Sequence, residues 1–467
     1  MNRHKIINFV IIALLITAVY QTGKLWLGDI AGHNFFYAVF GPLHYEKGQQ
    51  LGDGEFLVPG RFAVGDGNRK FSVFYADDKN SSQIIERVND VLSEVLTNGT
   101  PGEETKETDW EDILAPKCVV FQYDYMIPLE EYLSVGKMRK VQPIRMFDGL
   151  VIRPKKGGGE DSAVYFINSK TGESASFVLE SSKFAPGLYS ILETLESNST
   201  YVSTGQSGFK IFKRNVFVPQ WTDHLSYSTL QRTNPFEKDG VINRVALENS
   251  VDGFFKNFAA DWNTKDEHGV FTFSDENVVV KYHPEGILEY YGYGIYGDEK
   301  GGSTAIGYQV CKRFMDNDKS LNTGVYLSDV QVRSNETIYY FDYTVNDFPV
   351  ILSEDLRRSI AAEHAIEIVV RNNRVKKYRR YAYNFIAKPE KNAIVNIDFL
   401  MALNQCILEY QQMEGQHIVT EVDNIKLGYF VEKTGNIKLK WFAELYDYIF
   451  IGSTENIPAT EIKPLEQ

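Results

Sequence analysis

An α+β fold, held outside the cytoplasm by an N-terminal transmembrane helix, is what this sequence predicts, and three observations predict it. An apolar run fills Ile6 to Leu27 behind the basic opening Arg3-His4-Lys5. Beyond it, short stretches of alternating or β-branched residues bounded by turn residues recur, as the strands of antiparallel sheets do. Amphipathic helical stretches stand between them, each with one apolar face to bury, so helices are expected to pack on one face of the sheets.

The run from Ile6 to Leu27 is long enough for a helix of roughly 33 Å, against a hydrocarbon core of roughly 30 Å. Lys24 can snorkel to the headgroups while Trp26 occupies the interface. Val19 to Lys24 offers a signal peptidase no pair of small residues at alternate positions, so an uncleaved anchor is expected in place of a secretory signal. Arg3 and Lys5 favour a cytoplasmic N-terminus, which places the chain after Gly28 outside the cytoplasm at the cell membrane.

The 13% aromatic content suits β-rich structure, because aromatic side chains pack well on a pleated surface. A net charge of −13 argues against a nucleic-acid partner, which needs a basic footprint, and against wrapping onto an anionic bilayer. Cys118, Cys311 and Cys406 are too few and too scattered for a disulfide framework.

After the anchor, Glu55 to Val58 and Phe71 to Phe74 read as short strands. From about Ser82, Ile84, Ile85, Val88, Val91, Leu92 and Val95 recur at helical spacing. Asn98-Gly99 should end that helix, since both residues tolerate the left-handed conformation, and Thr100 to Thr108 reads as a solvated acidic loop. Cys118 to Tyr123, Phe147 to Arg153 and Ala163 to Asn168 read as strands. A short helical piece is expected at Leu129 to Leu133, a hairpin tip at Lys155 to Gly159 and a second helix near Tyr189 to Leu195. Asn234-Pro235 and Asp239-Gly240 mark the main boundary.

Past that boundary a helix followed by antiparallel strands on tight turns recurs. The helix Ser250 to Phe258 precedes a meander of Val270 to Phe273, Val278 to Tyr282 and Ile287 to Tyr291. The helix Thr304 to Met315 precedes Val325 to Val332, Tyr339 to Val345 and a hairpin turning on Asn372-Asn373. The helix Asp398 to Tyr410 precedes Ile425 to Phe430 and Ile437 to Phe442, where Ile437, Leu439 and Trp441 alternate with lysines. The expected division is 1–30 for the cytoplasmic tip and anchor, 31–235 for an N-terminal ectodomain, 236–300 for a middle helix-plus-meander unit and 301–467 for a C-terminal α+β unit.

Motifs of catalysis or cofactor binding fail on context, so no catalytic residue, metal site or cofactor is expected. Gly292 to Gly297 matches a dinucleotide fingerprint, yet it follows a meander and two carboxylates stand where phosphate would sit. Asp316 to Ser320 begins like a calcium loop, but Leu321 holds the glycine position and Leu327 the glutamate position, so it reads as a helix exit. Glu363, His364 and Glu367 lack a second histidine at i+4, which leaves a surface histidine. Gly205-Gln206-Ser207-Gly208 lacks the spacing of a nucleophile elbow. The densest charge is Arg374, Lys376, Lys377, Arg379 and Arg380 on one strand, readable as a platform for an anionic polymer, lipid or acidic partner, or as a solvated face or guarded edge.

Val119 to Tyr123 leading to Ile127-Pro128, then Phe147 to Ile152 and Val164 to Phe166, resemble the first ectodomain region of the YycH family. Phe271 to Asp275 followed by Gly286 to Tyr290 resembles its middle region. Val345 to Val350 and Ile425 to Tyr429 before Trp441 resemble the C-terminal fold that YycH shares with its smaller companion YycI. The resemblance covers most of the chain, its order being more specific than any one stretch. It implies a non-catalytic, membrane-anchored regulator that binds a membrane sensor histidine kinase concerned with the cell wall, with a YycI-like companion. Relatives differ in whether they activate or repress, so the direction of control is not implied. Asn8 and Thr17 would then mark the anchor face that meets a partner helix, with Trp26 at the interface, although Asn8 can equally reach the headgroups. The alternative is an anchored binding protein for a wall polymer or peptide, using the basic strand; an envelope enzyme comes third.

Overall fold

The computed structural model describes residues 57, 59–75, 79–130, 144–157, 161–195, 200–220, 225–255, 263–294, 303–346, 348–395, 398–415, 417–446 and 448–452. The expected anchor lies outside them, as do most of the helical piece from Leu129 and the second half of the glycine-rich turn after Gly294. Among the described residues no helix is long and apolar enough to cross a membrane. The architecture is α+β, with two large sheets.

The first half builds a nine-stranded antiparallel sheet from β1 (Arg61–Gly65), β2 (Phe71–Tyr75), β3 (Thr100–Thr105), β4 (Cys118–Pro128), β5 (Met146–Arg153), β6 (Ser162–Ile167), β7 (Ser174–Leu179), β8 (Tyr201–Ser203) and β9 (Phe217–Pro219), ordered β3-β7-β6-β5-β4-β1-β2-β8-β9. Helix α1 (Lys79–Asn98) buries Ile84, Val88, Val91, Leu92 and Val95, the stripe its spacing announces. It lays that stripe on β6, β7 and helix α3 (Ala185–Thr194), while the short α2 (Trp110–Leu114) starts at the capping side chain of Asp109. Each such apolar side chain stabilises the fold by about 1.5–3 kcal/mol.

The exit of α1 differs from expectation. Gly99 has no positive φ; a Cβ there would lie 2.5 Å from the Val95 carbonyl oxygen, so the glycine serves close approach. The chain then runs straight into β3 where a solvated loop was expected. Backbone pairing with β7 satisfies the strand while Glu104 stays exposed at the sheet edge, a placement that polar composition alone does not reveal.

The second half supplies β10 (Leu225–Thr233), β11 (Glu237–Lys238), β12 (Val241–Ile242), helix α4 (Arg244–Val251), β13 (Asn263–Lys265), β14 (Phe271–Ser274), β15 (Val278–His283), β16 (Ile287–Gly292) and helix α5 (Thr304–Met315). It continues with β17 (Gly324–Val332), β18 (Thr337–Val345), β19 (Phe348–Leu352), α6 (Glu354–Ile360), β20 (Ile366–Arg371), β21 (Arg374–Tyr381), β22 (Asn384–Val395), α7 (Phe399–Met413), β23 (Asn424–Val431), β24 (Ile437–Leu445) and β25 (Tyr448–Gly452). Twelve strands form one sheet, ordered β13-β14-β15-β16-β21-β20-β18-β19-β23-β24-β25, with β17 beside β18. The strands of 236–300 and 301–467 are therefore continuous through the pairing of β16 with β21.

Asn234 and Phe236 hold the expected boundary segment against this sheet, through a 2.9 Å hydrogen bond from Asn234 to the Tyr282 hydroxyl and a ring contact of Phe236 with Tyr282. Asp239-Gly240 is the two-residue turn between β11 and β12. The sheet is antiparallel except at one seam, where β19 and β23 run parallel with Val350 opposite Tyr429. Across the seam the register keeps Tyr343, Val350, Tyr429, Leu439 and Trp441 on one face. That face receives both helices: α5 through Tyr308 on Phe341 and Phe314 on Tyr378, and α7 on β24 and β25.

The opposite face meets the first sheet. Tyr75 and Tyr326 meet edge to face there at 5.5 Å, while the segment between β8 and β9 reaches α7 and the approach to β23, with Phe209 against Phe399 and Phe212 bridging Val422 with backbone hydrogen bonds on either side. All three cysteines are buried and unbonded, and burial pushes the thiols of Cys118 and Cys406 up to about 12.

Candidate functional site

Of the residues expected to meet a partner, Asn8, Thr17 and Trp26 lie outside the described residues. The basic cluster lies on β21, a central strand between β16 and β20, which corrects the reading of a guarded edge. A β-bulge between Val369 and Val370 breaks its alternation. Tyr378 and Arg380 therefore face the helices, and Lys377 and Arg379 face the other way.

Lys376, Lys377, Arg379 and Arg380 on this strand each meet a carboxylate of the same chain. Lys376 pairs with Glu336 at 2.9 Å, Lys377 with Glu367 at 2.8 Å and Arg379 with Glu289 at 3.2 Å. Arg379 also donates to the carbonyls of Ile360 and Ala361, closing the C-terminus of α6. Arg374 is exposed at the start of the strand. Arg380 is fully buried beside Asp318, so it presents nothing to solvent. Asp318 comes from the helix exit after α5, where its Oδ2 also accepts from the Tyr378 hydroxyl at 2.8 Å. Burial opposes the charge on Arg380, but Asp318 holds its pKa well above the ordinary value.

His364 is half-buried, which corrects the surface reading. Its Nδ1 lies 2.8 Å from Asp342 and 3.1 Å from the Ser328 hydroxyl. Burial works against its proton, but Asp342 outweighs this and raises its pKa, while Asp342 is itself held low by His364 against its own burial. Serine and aspartate converge on the same ring nitrogen. A nucleophilic triad needs them on opposite nitrogens, so this cluster is an anchored ion pair.

Sequence reasoning missed the cleft between the two sheets. It has a cavity of about 50 Å³. Tyr75 and Trp110 from the first sheet's side and Tyr326 from β17 form aromatic walls. Arg214 spans the gap, its guanidinium 3.8 Å from Asp124 on β4 and 3.6 Å from Glu444 on β24, and Glu444 pairs with Lys426 at 3.0 Å. Burial opposes both charges of that pair, yet each partner's field prevails, raising Lys426 and lowering Glu444. These residues come from strands and loops far apart in the chain, so no spacing or motif could have signalled them.

The fold and its two-sheet cleft define an α+β protein whose basic strand is matched by carboxylates of its own chain. No protein-family profile matches the sequence, and no curated protein matches it. Among solved structures the chain has a YycH-like fold: it is similar to the crystal structure of YycH from Bacillus subtilis over 86% of this chain and 97% of that one, with a TM-score of 0.50 and 12% identity. It is also similar to an uncharacterized protein from Eubacterium rectale over 51% of this chain and 86% of that one, with TM-score 0.31 and 11% identity. The YpeB C-terminal domain of Bacillus megaterium matches over 44% of this chain and 88% of that one, with TM-score 0.24 and 9% identity.

Proposed function

We propose that this chain is a membrane-anchored extracytoplasmic regulator that binds a sensor histidine kinase of the cell envelope, together with a YycI-like companion, and biases the kinase's signalling equilibrium. The observation that carries this reading is the YycH-like fold over 86% of the chain. The apolar run Ile6 to Leu27 supports it by giving the ectodomain a tether beside a membrane protein. Such a role needs no reaction centre. A coupling of about 1–3 kcal/mol between two kinase states changes their ratio roughly 5- to 150-fold.

The polymer-platform reading draws less support, because Lys376, Lys377, Arg379 and Arg380 are matched by carboxylates of the chain itself. The test is affinity purification of the full-length tagged chain from gently solubilised membranes. A histidine kinase is expected in the eluate, and replacing Ile6 to Leu27 by an unrelated spanning segment is expected to deplete it. Recovery of no kinase from membranes that contain one would reject the proposal.

A further inference from the structure

Two buried donors beside the inter-sheet cavity have no acceptor among the described residues: Nε of Arg61 and Nδ2 of Asn215. Asn215 is only 3% exposed, so water outside the cleft cannot serve it. Its amide orientation is fixed, because Oδ1 accepts from the Gly205 N–H at 3.0 Å and from the Ser203 hydroxyl at 2.6 Å. A flip would turn the amide NH₂ against the Gly205 N–H, donor against donor, so Nδ2 must remain on the orphan side.

Arg61 is similarly pinned. One terminal nitrogen donates to the Phe217 carbonyl at 2.6 Å, and among the described residues no carboxylate is in ion-pair contact with the guanidinium. Gln122, opposite Arg61 in the sheet, is engaged by the Asn215 carbonyl at 2.8 Å. The other charged walls are occupied: Arg214 by Asp124 and Glu444, Lys426 by Glu444, and Asp148 by the N–H and hydroxyl of Ser169. What the cavity offers is one unmatched cation and one unmatched neutral donor. Leaving such groups buried and unpaired is costly, which makes an acceptor bound there favourable.

We propose that this cleft is a binding site for a carboxylate, received by Arg61 Nε and Asn215 Nδ2. A cavity of about 50 Å³ has room for about four waters, close to a carboxylate with its attached carbon. The aromatic walls at Tyr75, Trp110 and Tyr326 then flank whatever the carboxylate is attached to. Because Arg61 and Asn215 belong to the first sheet's side and Tyr326 to the second, an occupant touches both sheets and strengthens their contact.

The experiment uses the full-length chain in detergent, with acetate, dialanine and the C-terminal amide of dialanine as probes in calorimetric titration and thermal melting. Acetate and dialanine are expected to bind and to raise the melting temperature, with the amide at least tenfold weaker. Acetate alone would mark a site for free small anions, and tighter binding of dialanine one for peptide ends. Asn215→Asp, which keeps the acceptor and replaces the orphan donor by an oxygen, and Arg61→Lys are each expected to weaken binding at least tenfold. Their unliganded melting reports whether they fold, and the acid-against-amide comparison stands on the unaltered chain. No binding up to about 50 mM, a level that reveals millimolar affinity, or equal binding of acid and amide, would overturn the proposal and leave the cavity to water.

Discussion

Arg380 and Asp318 form an ion pair with both side chains fully closed off from water, one from the centre of a sheet strand and one from the exit of the helix packed on it. The pair ties α5 to β21. The Ser320 hydroxyl and carbonyl take further guanidinium hydrogen bonds, and Tyr343 takes the one from Nε at 3.1 Å. Removing one partner strands the other in the interior, which typically destabilises by about 3–5 kcal/mol. Arg380→Met and Asp318→Asn are each expected to lower the unfolding free energy measured in urea by an amount in that range, and the double variant by less than their sum. A loss below about 1 kcal/mol for Arg380→Met would show that the pair is not what holds helix to strand.

The pair of His364 and Asp342 sets a pH window. The histidine pKa is raised in the fold, so its contribution is full below the unfolded value of about 6.5 and is lost as pH rises through the higher folded value. The aspartate is lowered, so its contribution is full above about 3.9 and is lost as pH falls through the lower folded value. Their joint stabilisation is therefore greatest between about pH 4 and 6.5. Urea midpoints of the wild type and His364→Gln, measured from pH 5 to pH 9, should converge as the pH rises. A gap that stays constant over that range would assign His364 a packing role alone.

Much of this was legible from periodicity. Helix α1 announced itself by its apolar stripe, and β24 by Leu439 and Trp441 alternating with lysines. The basic strand was legible as a strand but not as a set of partners. Its bulge hides in a run of like charges, and the carboxylates that neutralise it come from β16, β18's neighbouring turn, β20 and the exit of α5. Charge density in a sequence counts cations without revealing which acids fold against them. The cleft was invisible for the same reason: Arg61 and Asn215 acquire meaning only when β1 and the segment before β9 meet.

The hairpin between β20 and β21 turns on Asn372 and Asn373, whose φ values are 49° and 59°. Left-handed backbone costs an ordinary L-residue about 1–2 kcal/mol, and asparagine bears it better than alanine. Asn373→Ala is expected to destabilise by roughly 1 kcal/mol, and Asn373→Gly to be neutral or slightly stabilising, since glycine favours this turn. Equal urea midpoints for the alanine and glycine variants would rule out backbone strain as the determinant there.

Contact between the sheets depends on the absence of a side chain at position 60. A Cβ on Gly60 would lie 2.4 Å from the Tyr326 ring and 2.8 Å from the Leu327 carbonyl oxygen. The ring can swing away, at the expense of its edge-to-face contact with Tyr75, but the carbonyl belongs to β17 and cannot yield without moving the strand. Gly60→Ala is therefore expected to push the sheets apart locally, with a loss of about 1–3 kcal/mol typical of overpacking. Amide hydrogen exchange should quicken along β1 and β17 in this variant, and adding Tyr326→Ala should restore only part of the protection because the carbonyl clash persists. Full restoration by the second change would place the obstruction in the ring alone, and unchanged exchange in Gly60→Ala would mean that this approach of the two sheets is not maintained in solution.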